Sequence, residues 1–322
     1  MLPDQARRSA RLSLSLLALA AGLSCLAFML VGVRGNWSFV LAFRGMKLAM
    51  LCLVAYAVAV STVMFQTITN NRILTPSVMG FDALYVLLQT TIVFAWGARG
   101  LSGLDPRLMF LVNVGVMVAF SVALHRILFS TARRDLHLLL LVGIVLGILF
   151  RSLTEFLQRL INPNDFVVLQ DRMFASFNVV DGALLGISAA LVFLVSLGLW
   201  RLAHCFDVLT LGRDSAISLG VNHNRVVTLI LMMVCVLVAV CTALVGPITF
   251  FGLLVANLAY MLMPTGRHRH ILPAAVLIAM ICLVGGQMVL ERLLAFKTAL
   301  SIVIEFCGGI VFILLLLKGR IR

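Results

Sequence analysis

Charged and nucleophilic side chains are scarce in this chain, so each one that interrupts an apolar run is a candidate for chemistry. Arg151, Glu155 and Arg159 stand four residues apart, which on a helix puts all three on one face. Glu155 could pair with either arginine in a structural ladder, or the three could form the polar wall of a cavity. Asp82 and Glu305 each lie near the start of an apolar run, where a charge is either interfacial or functional. The six histidines (His125, His137, His204, His223, His268 and His270) show no H-x-x-x-H or H-E-x-x-H spacing, so no metal site is expected. None of the three lysines (Lys47, Lys297, Lys318) follows a glycine, which excludes a G-K-[ST] phosphate loop. If ATP and magnesium drive this protein, another chain hydrolyses the nucleotide. There is no G-x-S-x-G elbow and no paired carboxylates in mid-run, so no catalytic residue is assigned and no cofactor is expected on this chain.

The elements that carry these residues are helices in a lipid bilayer. Of 322 residues 62% are apolar and 11% charged, with a mean hydropathy of +1.14. Soluble domains run at roughly 45–50% apolar and about 25% charged. The expected fold is an all-α integral membrane protein forming one domain over residues 1–322. A spanning helix needs about 20 apolar residues, and ten candidates appear near 12–33, 46–66, 78–97, 108–130, 137–158, 183–203, 226–244, 247–263, 271–293 and 300–318. The N-terminal run continues past Ala18-Leu19-Ala20 to Val33 and is expected to stay as the first helix rather than leave as a signal peptide. The seven cysteines fall mostly inside apolar runs without C-x-x-C spacing and read as buried apolar side chains.

The net charge of +13 could suggest nucleic acid, but no basic cluster exceeds two adjacent residues and the charges sit between apolar runs. With the N-terminus placed inside, fifteen of the 25 basic residues fall on inner segments, both chain ends included. That bias agrees with the positive-inside rule and predicts two cytoplasmic termini. Two connections are too polar to span. Residues 159–182 are expected to form a short helix on the outer face. Residues 204–225 are expected to form two short inner helices broken at Gly212 and Gly220.

Three stretches, taken in order, resemble the permeases of ABC importers for iron–siderophore complexes, haem and vitamin B12. Gln66, Asn71, Pro76 and Gly80 match a G-x-x-x-Q, N-P-L-A-x-P-x-x-L-G pattern, with Arg72 where proline is usual. Leu211-Gly212, Ala216 and Leu219-Gly220-Val221 match L-G-x-x-x-A-x-x-L-G-V. Gly246-Pro-Ile-Thr-Phe-Phe-Gly252 matches G-x-I-x-F-x-G, followed by Ala256-Asn257 in place of Pro-His and Tyr260 in place of arginine. The resemblance covers about residues 40–318.

This resemblance implies a type II importer fold of ten helices and the permease subunit of an ATP-driven ferric-siderophore importer in a bacterial inner membrane. It implies two cytoplasmic ATPase subunits, gripped through Leu211, Gly212, Arg213, Asp214, Ala216, Leu219 and Gly220. A periplasmic substrate-binding protein would dock on Arg44, Lys47 and Arg292. The departures from the pattern favour a second, different permease over a homodimer. The implied pathway follows the axis between the two permeases, and Gln66, Asn71, Pro76, Arg151, Glu155, Met173 and Phe177 are its expected contributors. The alternative reading is a ten-helix secondary transporter coupled to an ion gradient. Such proteins place ionisable groups near the midplane on broken helices, and Asp82 is the one candidate here.

Overall fold

The structure, a computed structural model, describes residues 3–32, 37–103, 105–129, 136–178, 181–292 and 299–317. The basic residues expected at inner positions 133, 134, 318, 320 and 322 lie outside the described residues, as does Lys297. The described residues form thirteen α-helices: α1 (Pro3–Leu30), α2 (Trp37–Thr69), α3 (Phe81–Gly103), α4 (Pro106–Phe129), α5 (Leu136–Gln158), α6 (Pro163–Met173), α7 (Gly182–Arg201), α8 (Ala203–Leu209), α9 (Arg213–Ser218), α10 (His223–Val245), α11 (Phe251–Leu262), α12 (His268–Arg292) and α13 (Leu300–Leu317). By length and composition α1, α2, α4, α5, α7, α10 and α12 can cross a membrane, while α3, α11 and α13 are shorter apolar helices. Together they account for the ten expected segments, and α6 and α8–α9 fall on the two polar connections.

Local chemistry sets the helix starts. Asp181 caps α7 by accepting from the N–H groups of Ala183 and Leu184, and Asn222 caps α10 by accepting from Arg225 N–H. Pro106 and Pro163 occupy first-turn positions, where their missing N–H costs nothing. The core is built around α2, which packs against α10 and α12, while α3 lies along α5. Six cysteines, Cys25, Cys52, Cys205, Cys235, Cys241 and Cys282, are unpaired and at least partly buried, as expected for small apolar groups.

Two expected spans are not continuous helices. The third begins at Phe81 rather than residue 78, because Pro76–Met79 form a single 3₁₀ turn and Gly80 turns the chain at φ +86°. That helix breaks again at Gly97 (φ 69°, ψ 174°). The eighth is helical only over the 12 residues of α11, about 18 Å at 1.5 Å per residue, against the ~30 Å of a bilayer core. Gly246, at φ +98°, and Pro247 prevent α10 from running on into it. Both breaks are buried in protein, where non-helical backbone at membrane depth can find partners. Gly143 and Gly147 of α5 allow the first one. A Cβ on Gly143 would sit 3.0 Å from Met79 Cα, and one on Gly80 would sit 3.0 Å from Gly147 Cα. The G-x-x-x-G of α5 therefore seats a loop, not another long helix.

Candidate functional site

At the α6 end of the bundle the three expected docking residues converge, but in different roles. Arg44 donates to the carbonyl oxygens of Phe28, Met29 and Val31 at 3.0, 3.2 and 3.0 Å, closing the C-terminal turn of α1. Arg292, at the end of α12, donates to the same Val31 oxygen and remains exposed. Lys47 lies one turn beyond Arg44 on α2 and points inward, with only 3% of its surface exposed. Its ammonium donates to Glu291 Oε1 at 2.6 Å and to Asn178 Oδ1 at 3.2 Å. Gln287 Nε2 donates to those same two oxygens at 3.0 and 3.2 Å. Lys47 thus ties α2, α12 and the segment after α6 together from inside, and cannot touch a docking partner directly in this arrangement. Glu291, Gln287 and Asn178 escaped the sequence reading. Their signal was an acid beside Arg292 and an amide one turn before it.

Arg151, Glu155 and Met173 do come together. With Asp82, Thr154, Gln158 and Thr249 they line a recess of about 330 Å³ between α3, α5, α6 and the loop before α11. Among the described residues no ion pair closes between Glu155 and either arginine, so the ladder reading fails. Asp82 sits at the N-terminus of α3 with Ser77, Thr249 and Arg151 around it. Asp82 Oδ2 is buried without a hydrogen-bond partner. Pro76 lies behind Asp82, lining a cavity of about 30 Å³ with Ser61, Thr62 and Thr242. Phe177 is elsewhere, fully buried in the apolar core.

Gln66 and Asn71 lie at the opposite end, at the finish of α2. Gln66 Nε2 donates to Arg72 O at 2.8 Å, Asn257 Nδ2 donates to the same oxygen at 3.2 Å, and Asn71 Oδ1 accepts from Ile73 N–H. The Arg72 guanidinium stacks on the Tyr260 ring at 4.7 Å, a cation–π pair. Arg72, Asn257 and Tyr260 are all departures from the expected motifs. They meet at one site, where the turn after α2 lies against α11.

The 204–225 connection folds as two short helices, with Gly212 at φ +91° and Gly220 at φ +83° marking the breaks. Of the expected coupling residues, Ala216 is fully buried and anchors α9. Arg213 and Asp214 are exposed, and so are the apolar Leu211, Ile217 and Leu219. Apolar side chains held outward on a short rigid helix at a bundle end are suited to seating in another protein. Asp207 on α8 accepts from the backbone N–H of His268 at 2.9 Å and faces its ring Nδ1 at 2.8 Å. Burial alone would push the Asp207 carboxyl up, but these contacts and the nearby Arg267 outweigh it and hold it below its ordinary value.

Comparison with known proteins agrees with this architecture. The Bacillus subtilis petrobactin import system permease protein YclO is 46% identical over 304 residues, which span 94% of this chain and 96% of that protein. The Bacillus anthracis petrobactin import system permease protein FatC is 36% identical over 285 residues, covering 88% of this chain and 80% of that one. A solved metal-chelate type ABC transporter in an inward-facing conformation superposes with a TM-score of 0.82 over 96% of this chain and 99% of its own, at 21% identity. The ion-coupled alternative gains no support from any of these matches. The FecCD transport family matches residues 10–318, and with relatives of this closeness along nearly its whole length the chain belongs to that family.

Proposed function

We propose that this chain is one of two permeases through which an ATP-driven importer moves a ferric siderophore across a bacterial inner membrane. Petrobactin, the cargo named for YclO and FatC, is the first chelate to test. The observation that carries this reading is the α8–α9 unit, whose exposed Leu211, Ile217 and Leu219 present an apolar seat at the end of a multi-pass bundle that has no nucleotide loop of its own. Two ATPase subunits fit that role, and that end of the bundle is then cytoplasmic, as are both termini. The α6 end is then periplasmic, and the exposed Arg292 with Arg44 beside it offers positive charge to a substrate-binding protein.

The recess argues for a partner beside this chain. Arg151 and Glu155 are exposed on α5 among exposed Leu149, Leu153 and Phe156. Charges at this depth cannot face lipid cheaply, so this face borders a water-filled path closed by a second permease. Bacillus anthracis carries two petrobactin permeases, FatC at 36% and FatD at 26% identity to this chain. The pair named FepD and FepG in Escherichia coli serves one siderophore in the same way. A heterodimer in which this chain takes the FatC-like place follows. Purification of the chain with its candidate ATPase, with and without Gly212→Ala and Leu219→Asp, tests the reading. The ATPase should co-purify with the unaltered chain, be recovered in reduced amount with Gly212→Ala and be lost with Leu219→Asp. Undiminished retention in both would refute α8–α9 as its seat.

A further inference from the structure

We propose that His268, gripped by Asp207 on one side and Thr67 on the other, is the link that carries movement of the α8–α9 unit to the end of α2. The inference rests on the reading of α8–α9 as the ATPase seat and adds to it a route. Three elements distant in sequence meet at this ring. Asp207 on α8 accepts from His268 N–H at 2.9 Å and faces Nδ1 at 2.8 Å, while Nε2 stands 2.7 Å from Thr67 Oγ1 on α2. The ring is nearly fully buried, and Phe206 of α8 packs edge-on against it with centroids 5.8 Å apart. Neither bond can tilt without opening the other.

Counting hydrogens fixes the direction of the relay. Thr67 has one hydroxyl proton, with Val63 O and His268 Nε2 both 2.7 Å from its Oγ1. The Asp207 carboxylate can only accept, so it receives the Nδ1–H. On a neutral ring Nε2 then accepts from the Thr67 hydroxyl, and the ring holds α8 to α2 by two bonds, one of them assisted by the Asp207 charge. Tyr260 lies beside Thr67 and under Arg72. Gln66, the residue before Thr67, holds the Arg72 carbonyl. A displacement of α8 therefore reaches the turn after α2, at Asn71 and Arg72, through contacts of 2.7–2.8 Å instead of through soft apolar packing.

Hydrogen–deuterium exchange on the reconstituted permease–ATPase complex, with and without ATP plus vanadate, tests the link. In the unaltered complex, nucleotide should change exchange in two places, 203–218 and 66–74. In Thr67→Val, which keeps shape and loses the hydroxyl, and in Asp207→Asn, the change at 203–218 should persist. The change at 66–74 should fall by about 5-fold or more, the scale of a coupling between sites. Thr67→Ser should restore it, which a purely steric role for Thr67 would not require. A nucleotide response at 66–74 that survives in both variants, or is missing from the unaltered complex while 203–218 responds, overturns the link. A complex in which 203–218 itself ignores nucleotide would instead count against α8–α9 as the ATPase seat.

Discussion

Glu291→Gln removes one charge from the buried cluster that holds the α6 end together and changes almost nothing in shape. Lys47 Nζ then keeps Asn178 Oδ1 at 3.2 Å but loses the carboxylate at 2.6 Å. The Lys47 side chain is 4% exposed and that of Glu291 16%, so water cannot replace what is lost. Removing one partner of a buried pair costs about 3–5 kcal/mol, because the other charge is left uncompensated. For a chain of this size each kcal/mol moves the melting temperature by about 2 °C, so a fall of roughly 6–10 °C is expected. The pair Lys47→Met/Glu291→Gln removes the stranded charge as well and should recover at least half of that loss. The assay is thermal unfolding of the purified chain in nanodiscs for the parent, both single variants and the double variant. The drop should barely respond to salt between low and physiological ionic strength, since buried pairs are poorly screened. A fall below about 2 °C for Glu291→Gln, or a double variant whose loss equals the sum of the two singles, would refute the interior role of Lys47.

Gly80→Ala should cost about 2 kcal/mol or more in the same assay, from its positive φ together with a Cβ 3.0 Å from Gly147 Cα. Gly115→Ala, where a Cβ meets nothing within 4 Å, is the control and should be neutral or slightly stabilising. Gly212→Ala should weaken ATPase association by a factor corresponding to about 1–3 kcal/mol, measured by titration of the purified subunits. No atom lies within 4 Å of the added methyl, so that loss would come from the backbone torsion alone. Arg151→Gln should lower chelate delivery by reconstituted vesicles while leaving the melting temperature within about 1 °C, because the side chain is exposed in the recess. Asp207, held below its ordinary value, contributes fully above the usual carboxylate pKa of about 3.9 and loses its contribution as pH falls through the lowered one. The stability gap between parent and Asp207→Asn should therefore narrow as pH falls below about 4.

Hydropathy alone places ten segments, because burying a backbone in lipid demands long apolar helices whatever the tertiary arrangement. Turn chemistry is equally local. Gly212 and Gly220 mark where α9 begins and ends, and Asn222 and Asp181 set the starts of α10 and α7. The G-x-x-x-G of α5 announces a close approach, yet only the fold shows that Met79 and Gly80 fill it. The third and eighth segments carry break signals of their own, Pro76 and Gly80 in one and Gly246-Pro247 before the other. It is buried partners from α5 and from residues 174–176 that hold these stretches away from helix. Charge roles depend on the fold most of all. Arg44, Lys47 and Arg292 look alike in sequence, but one closes a helix end, one is buried on Glu291 and one stays exposed. Which partner an ionisable side chain finds is a question of what lies within about 3 Å, and that was settled by chain segments up to 244 residues away. The meeting of Arg72 with Tyr260, and of Asp207 with Thr67 through His268, has the same origin. Sequence supplied the unusual residues, and packing alone brought them into contact.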